Sequence, residues 1–346
     1  MWLNYSFAIL NSQFSIRNSQ LKEQARALGF EACGIARAHR VDDEAARRYA
    51  QWLAEGRNGC MEWAARHREL RDDPEGLLPG VKSVVVVAMN YYPPRLQPDD
   101  APQFAYYAYG RDYHEVMKQR LWQLAAAIEQ MSPCQTRCCV DSAPIRERYW
   151  AQEAGLGFIG LNNALILPGH GSYYFLGIIL TTLELEPSFT PPSSGGARRG
   201  YNPCGECRAC IAACPSGALS GDGAVDARRC LSCLTIEHHG ELPQWVAGVL
   251  GNRVFGCDEC QKCCPHNRHA QPTTVTELHP SDDFLALTRE CLAQMDQAEF
   301  SRLFSHSAVK RAKLAGLKRN LSLACASCDT SQKPAERATR TGPIIK

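Results

Sequence analysis

Two stretches decide how the rest of this 346-residue chain is read: Cys204-Gly-Glu-Cys207-Arg-Ala-Cys210-Ile-Ala-Ala-Cys214-Pro215 and Cys257-Asp-Glu-Cys260-Gln-Lys-Cys263-Cys264-Pro265. The first follows C-x2-C-x2-C-x3-C-P, a spacing in which three thiolates hold one 4Fe–4S cube and the fourth reaches a second cube. The second run is one ligand short of that pattern, and Cys230, between the two, can supply it. Two cubes are then served by crossed sets, Cys204, Cys207, Cys210 and Cys264 for one and Cys214, Cys230, Cys257 and Cys260 for the other. Cys233 and Cys263 fall outside the spacing and read as spectators. A zinc ribbon also uses paired C-x2-C motifs, but it needs four ligands and has no use for two C-P endings. A disulfide framework is disfavoured because C-x2-C-x2-C crowds three sulfurs into one turn.

Outward from the cysteines, the composition bounds the rest. The length suggests two or three domains. Thiolates that must stay reduced to bind iron imply the cytoplasm. The first ten residues lack a basic start and a small-residue cleavage site, and no run of ~18 apolar residues exists, so neither export nor a membrane partner is expected. Net charge is only +2, but residues 301–346 hold ten Lys or Arg against two acids. That asymmetry fits either a basic arm that meets phosphates or a solvated helix face.

Residues 1–17 read as a poorly specified leader. A helix with Leu21, Ala25 and Leu28 on one face follows, stopped at Gly29. A strand at 31–36 comes next, then a helix opened by Asp42 and Asp43. Val81–Met89 is a continuous β-branched run, the pattern of a strand buried on both faces. Tyr113–Met131 is apolar at helical spacing, Cys138–Asp141 is a brief strand and Pro144–Ala154 a helix. Further strands are expected at 158–160, 164–167 and 173–182. This alternation suggests one α/β layer domain over 18–186. Residues 187–203 form a linker, 204–270 the cluster module and 271–325 a helical portion running from Asp282 to about Leu323. Residues 326–346 read as a disordered tail.

Clusters alone specify electron transfer, so a reaction must be sought in the first domain. No Walker loop or dinucleotide fingerprint is present. Three polar loops stand out: Tyr109 to His114, Asp141 to Arg148 and Gly155 to Asn163. From pattern alone Asp141 reads as a cap for the helix near Pro144, and Arg111 and Asp112 as a surface pair. Asp112-Tyr-His114 lacks the glycine that a histidine ligand to cobalamin requires in D-x-H-x-x-G, since that position is Met117.

Together these loops resemble the epoxyqueuosine reductase family. The resemblance spans about residues 18–320. It rests on Met61-Glu-Trp63, Leu77-Leu-Pro-Gly80, Met89-Asn-Tyr91, Gly110-Arg-Asp-Tyr-His114, Val140-Asp-Ser-Ala-Pro144, Ala154-Gly-Leu-Gly157, Gly171-Ser172, Phe175-Leu-Gly177, Asp226-Ala-Arg-Arg-Cys230, Leu234-Thr-Ile-Glu237, Gly251-Asn-Arg253 and Gly256-Cys-Asp258. It implies an α+β fold in which a nitroreductase-like α/β cobalamin-binding domain precedes a ferredoxin-like module with two 4Fe–4S clusters and a helical, tRNA-binding C-terminal portion. It also implies the reduction of epoxyqueuosine to queuosine at the wobble position of tRNA. Electrons would pass from an external one-electron donor through the clusters to base-off cobalamin and then to the epoxide, in a monomeric enzyme.

The same resemblance makes Asp141 the catalytic acid, with a carboxyl pKa raised by a poorly solvated pocket. Cofactor contacts are expected from Asp141, Gly160, Asn162, Ser172, Ser232 and Asp258, and tRNA contacts from Lys310, Arg311, Lys313, Lys318 and Arg319. The chain departs from the resemblance in having Leu161 where Gly-Lys-Asn is usual and Cys233 where Tyr is usual, and beyond Asn320 the likeness stops. A corrinoid reductive dehalogenase and a plain ferredoxin-type electron carrier are the alternative readings. The Val-Asp-Ser-Ala-Pro motif counts against the first, and the two hundred N-terminal residues against the second.

Overall fold

The computed structural model describes residues 18–188 and 203–326. The leader, most of the linker and all but residue 326 of the tail therefore lie outside the described residues.

A four-stranded sheet organises the first half, in the order Ala32–Arg37, Ser83–Asn90, Tyr174–Thr181, Thr136–Cys139. Every pairing in it is antiparallel. The alternation of strands and helices along the chain thus produces an antiparallel sheet between layers, an α+β arrangement. All eight residues of Ser83–Asn90 are buried, as its unbroken apolar run requires. Because successive side chains point to opposite faces, Val85, Val87 and Met89 enter one core while Val84, Val86 and Ala88 enter another. Trp150 and Ala151 of the Glu147–Glu153 helix fill the second core together with Leu77 and Leu78.

The helix Tyr113–Met131 covers the first face. Asp112 caps its start, its side chain accepting from the His114 N–H at 3.0 Å. Met117 and Leu121 of this helix press onto Gly177, where an added Cβ would come within 2.9 Å of both side chains. The glycine lets helix and sheet approach closely.

The C-terminal portion is several short helices rather than one. Asp282–Leu285, Arg289–Gln294 and Gln297–Leu303 are opened by the caps Ser281, Thr288 and Asp296. The turn Ala308–Ala312 then leads into the helix Lys313–Ala326. Side-chain caps compete with helix continuation, which explains the breaks. This portion is not appended to the surface. Phe284, Phe300, Phe304, Val309, Leu317 and Leu321 share one continuous core with Val87 and Leu121. The strand Arg253–Phe255 of the cluster module also pairs, in parallel, with Gln103–Phe104. Fully buried Asn320 donates to the carbonyls of Thr235 and Val254 at 2.9 and 2.8 Å. The core therefore runs across the segment boundaries drawn from sequence.

Candidate active site

Each cysteine run places a short helix behind its first thiols, Ala209–Ala213 in one and Glu259–Lys262 in the other. Burial raises the pKa of Cys210, Cys230, Cys257, Cys260 and Cys264 first, and neighbouring sulfurs add to it. Cys210 feels Cys204 and Cys264, while Cys264 feels Cys204 and Cys207. Cys230 feels Cys214, Cys257 feels Cys230, and Cys260 feels Cys257 and Cys230 most. These neighbours are those of the two crossed sets, with Cys210 also within reach of Cys260, and Cys263 beside Cys210 and Cys264. Among the described residues no three metal-binding side chains converge as closely as a single ion demands. Eight thiols in two sets match the ligand count of two cubanes, whereas one structural zinc takes four ligands. Cys233 Sγ lies 3.4 Å from that of Cys60, and the Cys230 thiol bears on it as well.

Asp141 leaves the end of the strand Thr136–Cys139 in a left-handed conformation with φ +47°, a strained backbone for a residue with a Cβ. It does not cap a helix: the following helix begins at Glu147 with Arg146 at its cap and no side-chain bond there. Instead Asp141 Oδ2 accepts from the Tyr113 hydroxyl at 2.9 Å and faces His114 Nε2 at 3.1 Å. The other ring nitrogen of His114 lies 2.7 Å from Asp112 Oδ1. Asp112 is therefore a helix cap and histidine partner rather than half of a surface pair, and Arg111 pairs with Glu115 instead.

The electrostatics correct one expectation. Burial pushes the Asp141 carboxyl up, but the hydrogen bond and charge of His114, with the Tyr113 hydroxyl, outweigh it and hold the pKa below the ordinary value. His114 moves the opposite way. Burial opposes its charge, yet Asp112 and Asp141 together raise it to about 9. Asp141 is 54% exposed, and Arg148 is exposed as well, although desolvation is the largest influence on both. Side chains that solvent reaches while protein surrounds them line a recess.

Glu147 completes the loop. Its Oε1 accepts the Asp141 N–H at 2.6 Å, and burial followed by the Asp141 charge raises its carboxyl to about 8. A folded-state value above the ordinary 4.5 gives stability that is complete below about 4.5 and lost as pH rises through about 8. Glu147→Gln is therefore expected to flatten the pH dependence of the melting temperature across that window while its amide oxygen keeps the loop bond. Melting curves that still fall over the same window in the variant would remove Glu147 from that role.

Aromatic rings connect this loop to the cluster module. Tyr113 stacks on Phe175 at 4.2 Å and meets Tyr107 edge-on at 6.1 Å. Burial raises the Tyr107 hydroxyl, and the charges of Asp141 and Asp258 add most to it after burial. The Tyr107 ring meets Tyr113, which holds the acid, and also Phe255, two residues before Cys257, at 6.0 Å. Asp258 is buried, accepts the Tyr106 N–H at 2.7 Å, and is raised to about 6, chiefly by burial. Asn162 is buried and donates to the Cys260 carbonyl at 3.2 Å. Ser172 is tied to Asn267 and Gln261. Gly160 sits in the turn before Asn162, where a Cβ would meet Ile166 and Asn162 Oδ1. Ser232 lies on the helix Leu231–Ile236, next to the ligand candidate Cys230. Asn162, Ser172 and Asp258 gather around the second run, and Tyr107 links that run to Asp141. Tyr107, Tyr113 and Glu147 were given no role from sequence, although the Tyr109–His114 and Asp141–Arg148 loops contain the last two.

The basic residues divide. Lys310 and Lys313 are exposed, and Lys318 is half-buried. Arg311 forms a two-pronged pair with Glu237 at 3.0 and 2.7 Å, and its charge also reaches Asp141. Arg319 is corrected to a structural residue. Its guanidinium donates to the carbonyls of His238, Gly240 and Leu234 and to Asn320 Oδ1, so its donors are committed inside the protein.

Residues 71–142 match the family described as "Epoxyqueuosine reductase QueG, DUF1730", and residues 203–267 match a 4Fe-4S double cluster binding domain. The chain is 43% identical over 309 residues to the epoxyqueuosine reductase of Gloeobacter violaceus, covering 87% of this chain and 93% of that one. It is 39% identical to that of Cellulophaga algicola, covering 87% and 95%. A crystal structure of epoxyqueuosine reductase with an epoxyqueuosine-modified tRNA-Tyr stem loop superposes with a TM-score of 0.80 at 29% identity, over 91% of this chain and 82% of that one. The Bacillus subtilis enzyme, captured with a catalytic aspartate loop swung out of its active site, matches with a TM-score of 0.80 at 28% identity, over 91% and 82%. No described helix is long and apolar enough to cross a membrane. The chain is an oxidoreductase and belongs to the epoxyqueuosine reductase family.

Proposed function

We propose that this enzyme removes the epoxide oxygen of epoxyqueuosine at the wobble position of tRNA anticodons, leaving the alkene of queuosine. The observation that carries the reading is Asp141, presented at positive φ in a recess and joined through Tyr107 to the second cysteine run. The names of the relatives and the stem loop bound to the solved structure support the substrate.

Two 4Fe–4S clusters fit the crossed cysteine sets, and when bound they supply single electrons. Cobalamin fits the recess on two counts. The stacked Tyr113 and Phe175 and the neighbouring Tyr107 offer an aromatic wall. Both nitrogens of His114 face carboxylates, so its imidazole is committed to Asp112 and Asp141 and would not be free to hold a metal. Asp141, Gly160, Asn162, Ser172 and Asp258 are the proposed surroundings of that group, with Ser232 beside the clusters. When bound, the corrin supplies a strongly reducing metal centre.

The chain's own residues do the remaining work. Tyr113 and His114 orient Asp141 toward the recess, and Glu147 fixes its backbone. Asp141 is the group placed to give a proton to the oxygen as its bond to carbon breaks. The swung-out loop of the B. subtilis relative suggests that the Asp141 loop, too, can move. The base must be splayed from the anticodon loop to reach the acid. Lys310 and Lys313, with Arg311 at the rim, are placed to meet phosphates as it enters.

Replacing Lys310 and Lys313 by Ala is expected to lower the slope of log affinity against log salt by about 0.7 per lysine. An unchanged slope in binding titrations would move the tRNA path elsewhere. The proposal itself is tested by incubating reduced, reconstituted enzyme with epoxyqueuosine-containing tRNA and digesting to nucleosides. Loss of one oxygen from the modified nucleoside is expected, and an unaltered nucleoside would overturn the reading.

A further inference from the structure

Removing an epoxide oxygen as water consumes two electrons and two protons, both protons ending on the departing oxygen. The electrons come from an external one-electron donor. Under the proposed function Asp141 delivers protons, yet His114 Nε2 at 3.1 Å and the Tyr113 hydroxyl at 2.9 Å favour its ionised form. A carboxylate cannot give what it does not hold. Something beside it must store the proton.

We propose that His114 is that store, and that Asp112, His114 and Asp141 form a line along which its proton moves to the substrate. The geometry carries the proposal. His114 Nδ1 lies 2.7 Å from Asp112 Oδ1, and Nε2 lies 3.1 Å from Asp141 Oδ2. Two carboxylates on opposite edges of one imidazole favour the ring that carries both protons. Tyr113 stacks on the ring at 4.1 Å and 27° and holds its plane. Asp112 is itself fixed, because Oδ1 also accepts the His114 N–H and its own N–H donates to the His306 carbonyl.

The step balances. The Nε2–H proton passes to Asp141 Oδ2 as the N–H bond breaks and an O–H bond forms. The carboxylic acid so formed gives that proton to the oxygen leaving carbon, which restores the carboxylate. The neutral ring keeps its Nδ1–H on Asp112 and recovers an Nε2 proton from water for the second transfer. Asp112 at the helix cap and Asp141 on the strand-end loop bear on this ring directly, and Glu147 of the next helix interacts with it, while Lys118 acts on Asp112 and Arg148 and Arg311 act on Asp141. Asp112 and Asp141 outweigh the rest and bring the ring to about 9.

A store that must be protonated gives a rate that falls as pH rises through its pKa. Wild-type turnover is therefore expected to decline with a midpoint near 9. Asp112→Asn removes one of the two charges, so the midpoint should drop by about one unit or more. A readout free of turnover checks the same quantity. Diethyl pyrocarbonate reacts only with the unprotonated ring, so its modification rate at His114, mapped by peptide mass spectrometry in the holoenzyme, should rise with the same midpoint and shift with it in Asp112→Asn. His114→Gln should cut turnover at least tenfold at pH 7 while binding the stem loop normally. Superimposable pH profiles for wild type and Asp112→Asn, or turnover that survives in His114→Gln, would overturn the proposal. Those outcomes require an active wild type, whereas failure of the proposed reaction itself would appear as no queuosine at any pH.

Discussion

Asp141→Asn is expected to bind its cofactors and the tRNA stem loop as the wild type does while reducing the epoxide about 10² to 10⁴ times more slowly, the usual scale for general-acid catalysis. The substitution is nearly isosteric. Its amide oxygen can still accept from the Tyr113 hydroxyl, now at 2.9 Å, and the backbone N–H remains for Glu147 Oε1. The loop should therefore keep its place, including the positive φ of residue 141, which Asn tolerates better than most residues. What disappears is a group that can take a proton from His114 and release it. Single-turnover formation of queuosine, measured beside stem-loop affinity and cluster absorbance, separates these effects. Equal turnover in the variant would take Asp141 out of the chemistry, and loss of binding would make it an anchor instead.

The second large effect concerns the crossed ligands. Cys230 lies in neither cysteine run, yet its thiol neighbours Cys214 and, across the module, Cys257 and Cys260. Cys230→Ser is expected to lose one cluster, reducing iron from about eight to about four atoms per chain, and with it queuosine formation. Cys214→Ser should cost the same cluster, although Cys214 belongs by sequence to the other run. Cys233→Ser, three residues from Cys230 on the same helix, should keep all the iron, because its sulfur faces Cys60. Iron analysis and Mössbauer spectra distinguish these outcomes. Full iron in Cys230→Ser, or loss of the other cluster in Cys214→Ser, would show that the sets are not crossed.

Much of this was legible in the sequence because its causes are local. The cysteine spacing is set within single turns of chain, and it anticipates that Cys210 neighbours Cys204 and Cys264 and that Cys230 neighbours Cys214. The Ser83–Asn90 strand announced itself by an apolar run that only burial on both faces accommodates. The helix Tyr113–Met131 appeared with the bounds that its apolar spacing gave. What depended on distant contacts was harder to read. Asp141 looks like a cap by pattern, and only the sheet brings it against Tyr113 and His114, 28 and 27 residues earlier in the chain. That contact reverses the expected direction of its pKa. Arg319 likewise reads as one of a basic set, and the carbonyls of His238 and Gly240 that occupy it come from 81 and 79 residues away. The C-terminal helices looked like an arm because their charges are visible in sequence, whereas the partners of Phe300 and Phe304 are not.

The central claim, that two clusters feed a reductive site built around Asp141, is tested most directly by counting electrons. Enzyme reconstituted anaerobically and reduced chemically is freed of excess reductant, then mixed with one equivalent of epoxyqueuosine-containing stem loop while cluster oxidation is followed by freeze-quench EPR. The account expects the reduced-cluster signal to decay as queuosine forms, with two electrons lost from the protein for each oxygen removed. Queuosine that appears while the clusters remain reduced, or protein that binds zinc and no iron, would contradict it.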